Sequence, residues 1–109
     1  MTKEDLQDMK ELLQEYHANI LPHNMVTLYH ATTKENAKQI IESQTMYAKE
    51  DGLFFSTLPN NQILGYGDTI ITVTTSINKL QLDDQFSNEL HFRIPCKAFT
   101  YYSVIAKYL

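Results

Sequence analysis

In the run Val26-Thr27-Leu28-Tyr29-His30-Ala31-Thr32-Thr33, an expected strand ends on His30 and passes directly into a helix start. Val26, Leu28 and His30 fall on one face of that run and Thr27, Tyr29 and Ala31 on the other, the period of two that a pleated strand imposes. A neutral imidazole donates and accepts hydrogen bonds at once. Held at a strand end, where the chain turns, it can orient a polar ligand. Ser56 and Thr57 end a second apolar run, Leu53-Phe54-Phe55, on two hydroxyls, and Tyr66 sits in the tight turn Gly65-Tyr66-Gly67-Asp68. Glu89 opens a third run in which Glu89, His91 and Arg93 alternate with Leu90, Phe92 and Ile94. Cys96 is a lone thiol beside Ile94 and Pro95, which suits a structural cysteine rather than a nucleophile. His17 and His23 have no Cys or His partner at a zinc-like spacing and read as surface residues. Each candidate also has an ordinary use: His30 as a hydrogen-bonded strand-end residue, Glu89 on a solvated face paired with a neighbouring cation, Ser56 and Thr57 capping a turn, and Tyr66 covering the core edge.

The elements that must position these groups are legible from periodicity. Leu6, Met9, Leu12, Leu13 and Tyr16 recur at helical spacing, predicting an amphipathic helix over 3–18 whose other face is charged. Thr32 stands three residues before Glu35, the capping-box spacing, and Ala37, Ile40 and Ile41 then share one side of a second helix over 33–43. A short extended piece at 46–48, a polar turn at 49–52, and strands at 26–30, 53–57, 69–75, 89–94 and 99–106 complete the expectation, with a turn of helix near 61–66 and a connector from 76 to 84. Helices come first and strands last, which predicts an α+β domain rather than repeated βαβ units. The expected division is an N-terminal helix and linker over 1–22 and the remaining domain over 23–109.

Composition limits what the site can belong to. The 109 residues are 43% apolar and carry a formal charge of −4, with nine Lys and Arg scattered along the chain. A broad basic footprint for duplex nucleic acid or anionic membrane is therefore not expected. A polar, charged start and the lack of any long apolar run predict a soluble, non-secreted protein, and a single cysteine suits a reducing cytoplasm. No P-loop, dinucleotide-binding glycine fingerprint, metalloprotease motif or internal repeat is present.

Taken in order, Leu28-Tyr29-His30-Ala31-Thr32, a helix with Ile40-Ile41, Gly52-Leu53-Phe54-Phe55-Ser56-Thr57, Tyr66-Gly67-Asp68 and Glu89-Leu90-His91-Phe92-Arg93-Ile94-Pro95 resemble the ADP-ribosyltransferase fold over about residues 26 to 106. The likeness is to small bacterial and phage members with a histidine on the first core strand, related to diphtheria-toxin-like and RNA 2′-phosphotransferase branches. Ala31 stands where those families usually have glycine. The resemblance implies a split β-sandwich core, NAD as substrate and no metal. It further implies that Glu89 and His30 are the catalytic residues, with His30, Ser56, Thr57 and Tyr66 contacting the dinucleotide. Cleaving the bond between nicotinamide and ribose develops an oxocarbenium-like cation, and a carboxylate such as Glu89 stabilises it. By sequence, Lys34, Arg93 and Lys97 are the nearest cations for the phosphates.

The function implied is transfer of ADP-ribose from NAD to a protein or nucleic-acid acceptor in the cytoplasm, with no membrane involved. The alternatives are a non-catalytic interaction protein, such as a phage or mobile-element inhibitor of a host protein, or an NAD- or nucleotide-binding module on the same fold.

Overall fold

A computed structural model describes residues 1–48 and 51–109. The expected turn at 49–52 falls partly on Lys49 and Glu50, which lie outside the described residues. The chain forms an α+β domain of two α-helices and nine antiparallel strands among the described residues. The first helix, α1 (Lys3–Glu15), is closed at its start by a capping box between Thr2 and Asp5. It stops three residues earlier than the apolar spacing suggests because His17 turns left-handed (φ 57). His17 N–H then donates to Gln14 O and Ala18 N–H to Leu13 O, satisfying the last carbonyls. Of the apolar stripe, Leu13 is fully buried while Leu6, Met9, Leu12 and Tyr16 pack part-buried on the core.

The short strand β1 (Asn19–Leu21) leads into β2 (Met25–Thr32), the centre of the main sheet. Helix α2 (Lys34–Ser43) follows, then β3 (Thr45–Ala48) and β4 (Leu53–Ser56). The helix cap is Thr33, whose hydroxyl accepts from Asn36 N–H. Thr32 cannot serve, because it is still paired to Thr69 in the sheet. A 3-10 helix at Gln62–Tyr66 precedes β5 (Thr69–Ser76), and a second at Ile77–Lys79 precedes β6 (Gln81–Gln85). The chain ends with β7 (Leu90–Ile94), β8 (Thr100–Ser103) and β9 (Ile105–Tyr108). The main sheet runs β6-β7-β4-β2-β5-β9, with β1 also on β2, and β3 pairs with β8 in a separate ribbon.

Two expectations are corrected. The region 99–106 is two strands in different sheets, because Val104 N–H leaves the ladder to donate to Gln44 O between them. The connector at 76–84 contains β6, an edge strand exposed at every position and therefore without alternation to read.

Register explains where the core lies. Leu28 opposes Val73 and His30 opposes Ile71 across β2 and β5, so Val26, Leu28, Ile71 and Val73 share a buried face with Leu53, Phe55, Leu90, Phe92 and Ile94, and both helices pack there. Thr27, Tyr29, Thr72 and Thr74 on the other face remain half-buried. Gln44 locks α2 to β9. Its backbone is left-handed (φ 53), its Nε2 donates to Ile41 O (2.7 Å) and Ala106 O (2.9 Å), and its Oε1 accepts from Ala106 N–H (2.7 Å). Gln44→Ala strands these part-buried groups and should destabilise the domain by about 2–3 kcal/mol. Thermal unfolding checks this, with an expected fall in Tm on the order of 10 °C.

Candidate functional site

The site begins where β2 and β4 part. β5 pairs along the whole of one edge of β2, while the other edge is shared between β1 at Met25–Thr27 and β4 at the single pair Tyr29↔Ser56. Beyond that pair the strands diverge. The His30 ring occupies the gap, its Nδ1 2.7 Å from the Phe54 carbonyl oxygen and its face tilted against Phe55 at 5.6 Å between centroids. A carbonyl only accepts, so Nδ1 carries the proton. Burial lowers the His30 pKa and the bond to Phe54 opposes that less strongly, so the ring is neutral near pH 7 and Nε2 keeps a lone pair. No side chain or backbone group among the described residues takes Nε2, and it is not enclosed.

Two hollows meet at His30. The smaller, about 250 Å³, is lined by His30, Ala31, Ser56, Ile63, Tyr66, Asp83 and His91, among others. The larger, about 560 Å³, runs along α2 past Asn36, Gln39 and Ser43 to Tyr47 and Phe99. His30, Thr32 and Phe54 border both. The larger volume falls within the range of small-molecule pockets, and the smaller suits a single ring.

The residues expected from sequence divide into three groups. His30, Ser56 and Tyr66 meet at the smaller hollow. Ser56 opposes His91 across β4 and β7, and its hydroxyl accepts from Leu58 N–H at 3.1 Å. Tyr66 lies on the 3-10 helix, 69% exposed, with its ring available. Thr57 lines neither hollow; its hydroxyl accepts from Leu90 N–H at 3.0 Å and holds the strand ends together. Glu89 is fully buried, unlike a residue on a solvated face, and lies one side chain behind the hollow. Its Oε1 is 2.7 Å from His91 Nε2, and its Oε2 is enclosed without a hydrogen-bond partner among the described residues. Lys34, Arg93 and Lys97 line neither hollow, and Arg93 is held by Gln81 Oε1 and the Asp51 carbonyl.

Two site residues lie outside that expectation. His91, with a side chain 13% exposed, is the group that Glu89 presents to the hollow. Its alternation with Glu89 was the available signal. Asp83 reaches the hollow through a bulge, since Leu82 pairs with Phe92 but Asp84 with His91, leaving Asp83 unpaired between them. No sequence pattern marks that bulge.

The turn over Glu89 is pinned from α1. Tyr16 Oη donates to Phe86 O at 2.9 Å, Phe86 N–H donates to Glu89 O, and the Phe86 ring packs edge-on against His91 at 4.9 Å. On the opposite rim, Gly67 lies against the backbone of Thr32, where an added Cβ would stand 2.4 Å from Thr32 O. Gly67→Ala must push the Tyr66 segment off the end of β2. It should cost about 1–3 kcal/mol of stability, read by chemical denaturation.

These features define a class: an α+β domain with a two-lobed, histidine-centred hollow at a strand divergence. Comparisons with protein-family models, curated proteins and solved structures return no match for this chain. Among the described residues no helix is long and apolar enough to cross a membrane, and no three His, Cys, Asp or Glu side chains cluster in a metal-holding arrangement.

Proposed function

We propose that this chain is an ADP-ribosyltransferase-like protein that takes NAD into the paired hollows and transfers ADP-ribose to a macromolecular acceptor in the cytoplasm. The observation that carries the reading is the chemistry of the smaller hollow. It offers two imidazoles, the Thr32 and Ser56 hydroxyls, an open tyrosine ring and the Asp83 carboxylate, with no Lys or Arg in its lining among the described residues. That set suits a flat cationic ring such as nicotinamide, which stacks on Tyr66 and is favoured by Asp83, better than it suits a phosphate. His30 would hold polar groups where the hollows join, and the longer hollow beside α2 would take the rest of the dinucleotide. Glu89 sits in the interior, where water does not screen it, and its carboxylate would favour the positive charge that grows as the glycosidic bond breaks. No metal is needed for this chemistry.

The test is incubation of the protein with labelled NAD and a cell lysate. Label transferred to an acceptor supports the reading. The absence of both transfer and nicotinamide release sinks it. A second reading, a non-catalytic module that docks on a host protein, draws on one specific feature. Tyr47, Phe99 and Tyr101 are 54%, 73% and 62% exposed, and the Tyr47 and Tyr101 rings lie 4.2 Å apart. NAD binding without transfer, or no NAD binding at all, would favour it.

A further inference from the structure

We infer that His91, oriented by Glu89, is the general base of this site and that the acceptor it serves is a hydroxyl. The inference rests on the transferase reading above and names the acceptor chemistry of that same hollow. Its starting point is the pair itself. Glu89 Oε1 lies 2.7 Å from His91 Nε2, and a carboxylate oxygen accepts, so Nε2 donates and the neutral ring's lone pair is fixed on Nδ1. Nδ1 has no partner among the described residues and is not enclosed, and His91 lines the hollow. Behind it, Glu89 is fully buried with Oε2 unpartnered among the described residues, an arrangement that costs stability and is offset when its neighbour becomes cationic. A buried carboxylate on one nitrogen of an imidazole, with the other nitrogen open to a cavity, is the arrangement by which a histidine is made to take a proton.

An acceptor hydroxyl oxygen attacks the ribose carbon that carries nicotinamide, and a new carbon–oxygen bond forms. The carbon–nitrogen bond breaks with its electron pair going to nicotinamide, which leaves neutral. The hydroxyl proton passes to His91 Nδ1, and Glu89 holds the resulting imidazolium at Nε2 until solvent takes the proton.

The acceptor class follows from what this base can do. A hydroxyl oxygen keeps its lone pairs while protonated, so it can attack first and release its proton as the bond forms. A guanidinium has no free pair until it loses a proton held far more tightly than an imidazole can take. A carboxylate acceptor needs no base and would be repelled by Asp83 and Glu89.

Several titratable and charged groups surround His91. Glu89 is on its own strand, Asp84 opposes it on β6, Asp83 shares the hollow, Tyr66 faces in from the 3-10 helix and His30 from β2, while Arg93 further along β7 is tied to Gln81. Burial lowers the pKa of His30, so its titration falls below the ordinary imidazole range.

The experiment follows nicotinamide release from NAD by the full chain between pH 5 and 8, with methanol as the hydroxyl acceptor and agmatine as the guanidinium one. Wild type should form the methanol adduct in preference to the agmatine adduct, with a rate that rises with pH. His91→Gln should lose that rise and about 100-fold or more of the rate, with NAD affinity from calorimetry changed by less than about threefold. Added imidazole should restore part of the rate to His91→Ala, which a purely structural role would not allow. An unchanged pH profile in folded His91→Gln, or preference for agmatine, overturns the assignment while leaving the transferase reading intact. No nicotinamide release by wild type overturns both.

Discussion

Glu89→Gln should cut nicotinamide release and ADP-ribose transfer by at least about 100-fold, the scale of losing one preorganised electrostatic group, while the protein stays folded. Gln is nearly isosteric with Glu, so the packing around Leu90 and Phe86 is kept. Two things change. The negative charge behind the hollow disappears, and the amide can present either an oxygen or an N–H to His91 Nε2, so the imidazole tautomer is no longer enforced. Both losses fall on charge that exists mainly in the transition state. NAD affinity should therefore move by less than about threefold. Stability separates this from an ordinary structural role. Glu89 is fully buried with one oxygen unpartnered, so a neutral side chain of the same shape removes a desolvation cost. Glu89→Gln should match wild type in denaturant unfolding or exceed it by about 1 kcal/mol. A variant that lost 3 kcal/mol or more, roughly the cost of breaking a buried pair, would mark Glu89 as a structural ion-pair member. Unchanged turnover would remove it from the mechanism.

How much of this was legible in the sequence depends on which faces were half wet. β2, β5 and β7 stand out because one side of each packs on the helices while the other stays half-buried, so Val26-Leu28, Ile71-Val73 and Leu90-Phe92-Ile94 alternate with polar neighbours. The helix α2 is announced by the spacing of Ala37, Ile40 and Ile41, although its cap is Thr33 and not Thr32, and the 3-10 helix that carries Tyr66 by the turn residues around it, both for equally local reasons. β6 carries no such signal, since an edge strand exposed on both sides has no buried face to write into its residues. The hollow is harder still. Glu89 shares its parity with half-buried His91 and Arg93, and its enclosure comes from the Phe86 turn, which Tyr16 holds from seventy residues away. Asp83 enters only because β6 slips by one residue against β7. Residue types and order pointed to His30, Ser56, Thr57, Tyr66 and Glu89. Which of them touches the cavity, and through which neighbour, is decided by long-range contacts that leave no local pattern. The same contacts tie α1 to the site, so the helix over 3–15 supports the back of the Glu89–His91 pair as well as the core.

His30→Ala should weaken NAD binding by about tenfold or more, and by a different route from Glu89→Gln. The His30 ring borders both hollows, so whatever spans them must pass it, and Nε2 is the accepting group at that passage. Removing it strands a ligand donor and frees the Phe54 carbonyl, each worth about 1–3 kcal/mol when buried. Because these contacts exist in the bound dinucleotide before any bond breaks, affinity should fall more than the rate of the bound complex. A pH effect accompanies it. Burial holds the folded-state pKa of His30 below the ordinary 6.5, so below pH 6.5 the unfolded chain binds a proton that the folded one refuses. This contribution to stability is fully present above pH 6.5 and is lost as the pH falls through the lowered folded value. His30→Asn, which keeps a polar group in the gap but does not titrate, should flatten that part of the stability profile between pH 6.5 and 5 and retain more NAD affinity than His30→Ala. Calorimetric titration of NAD and urea unfolding across the same pH range decide the matter. Equal NAD affinity in wild type and folded His30→Ala would detach His30 from the ligand and leave its ring as a plug between β2 and β4.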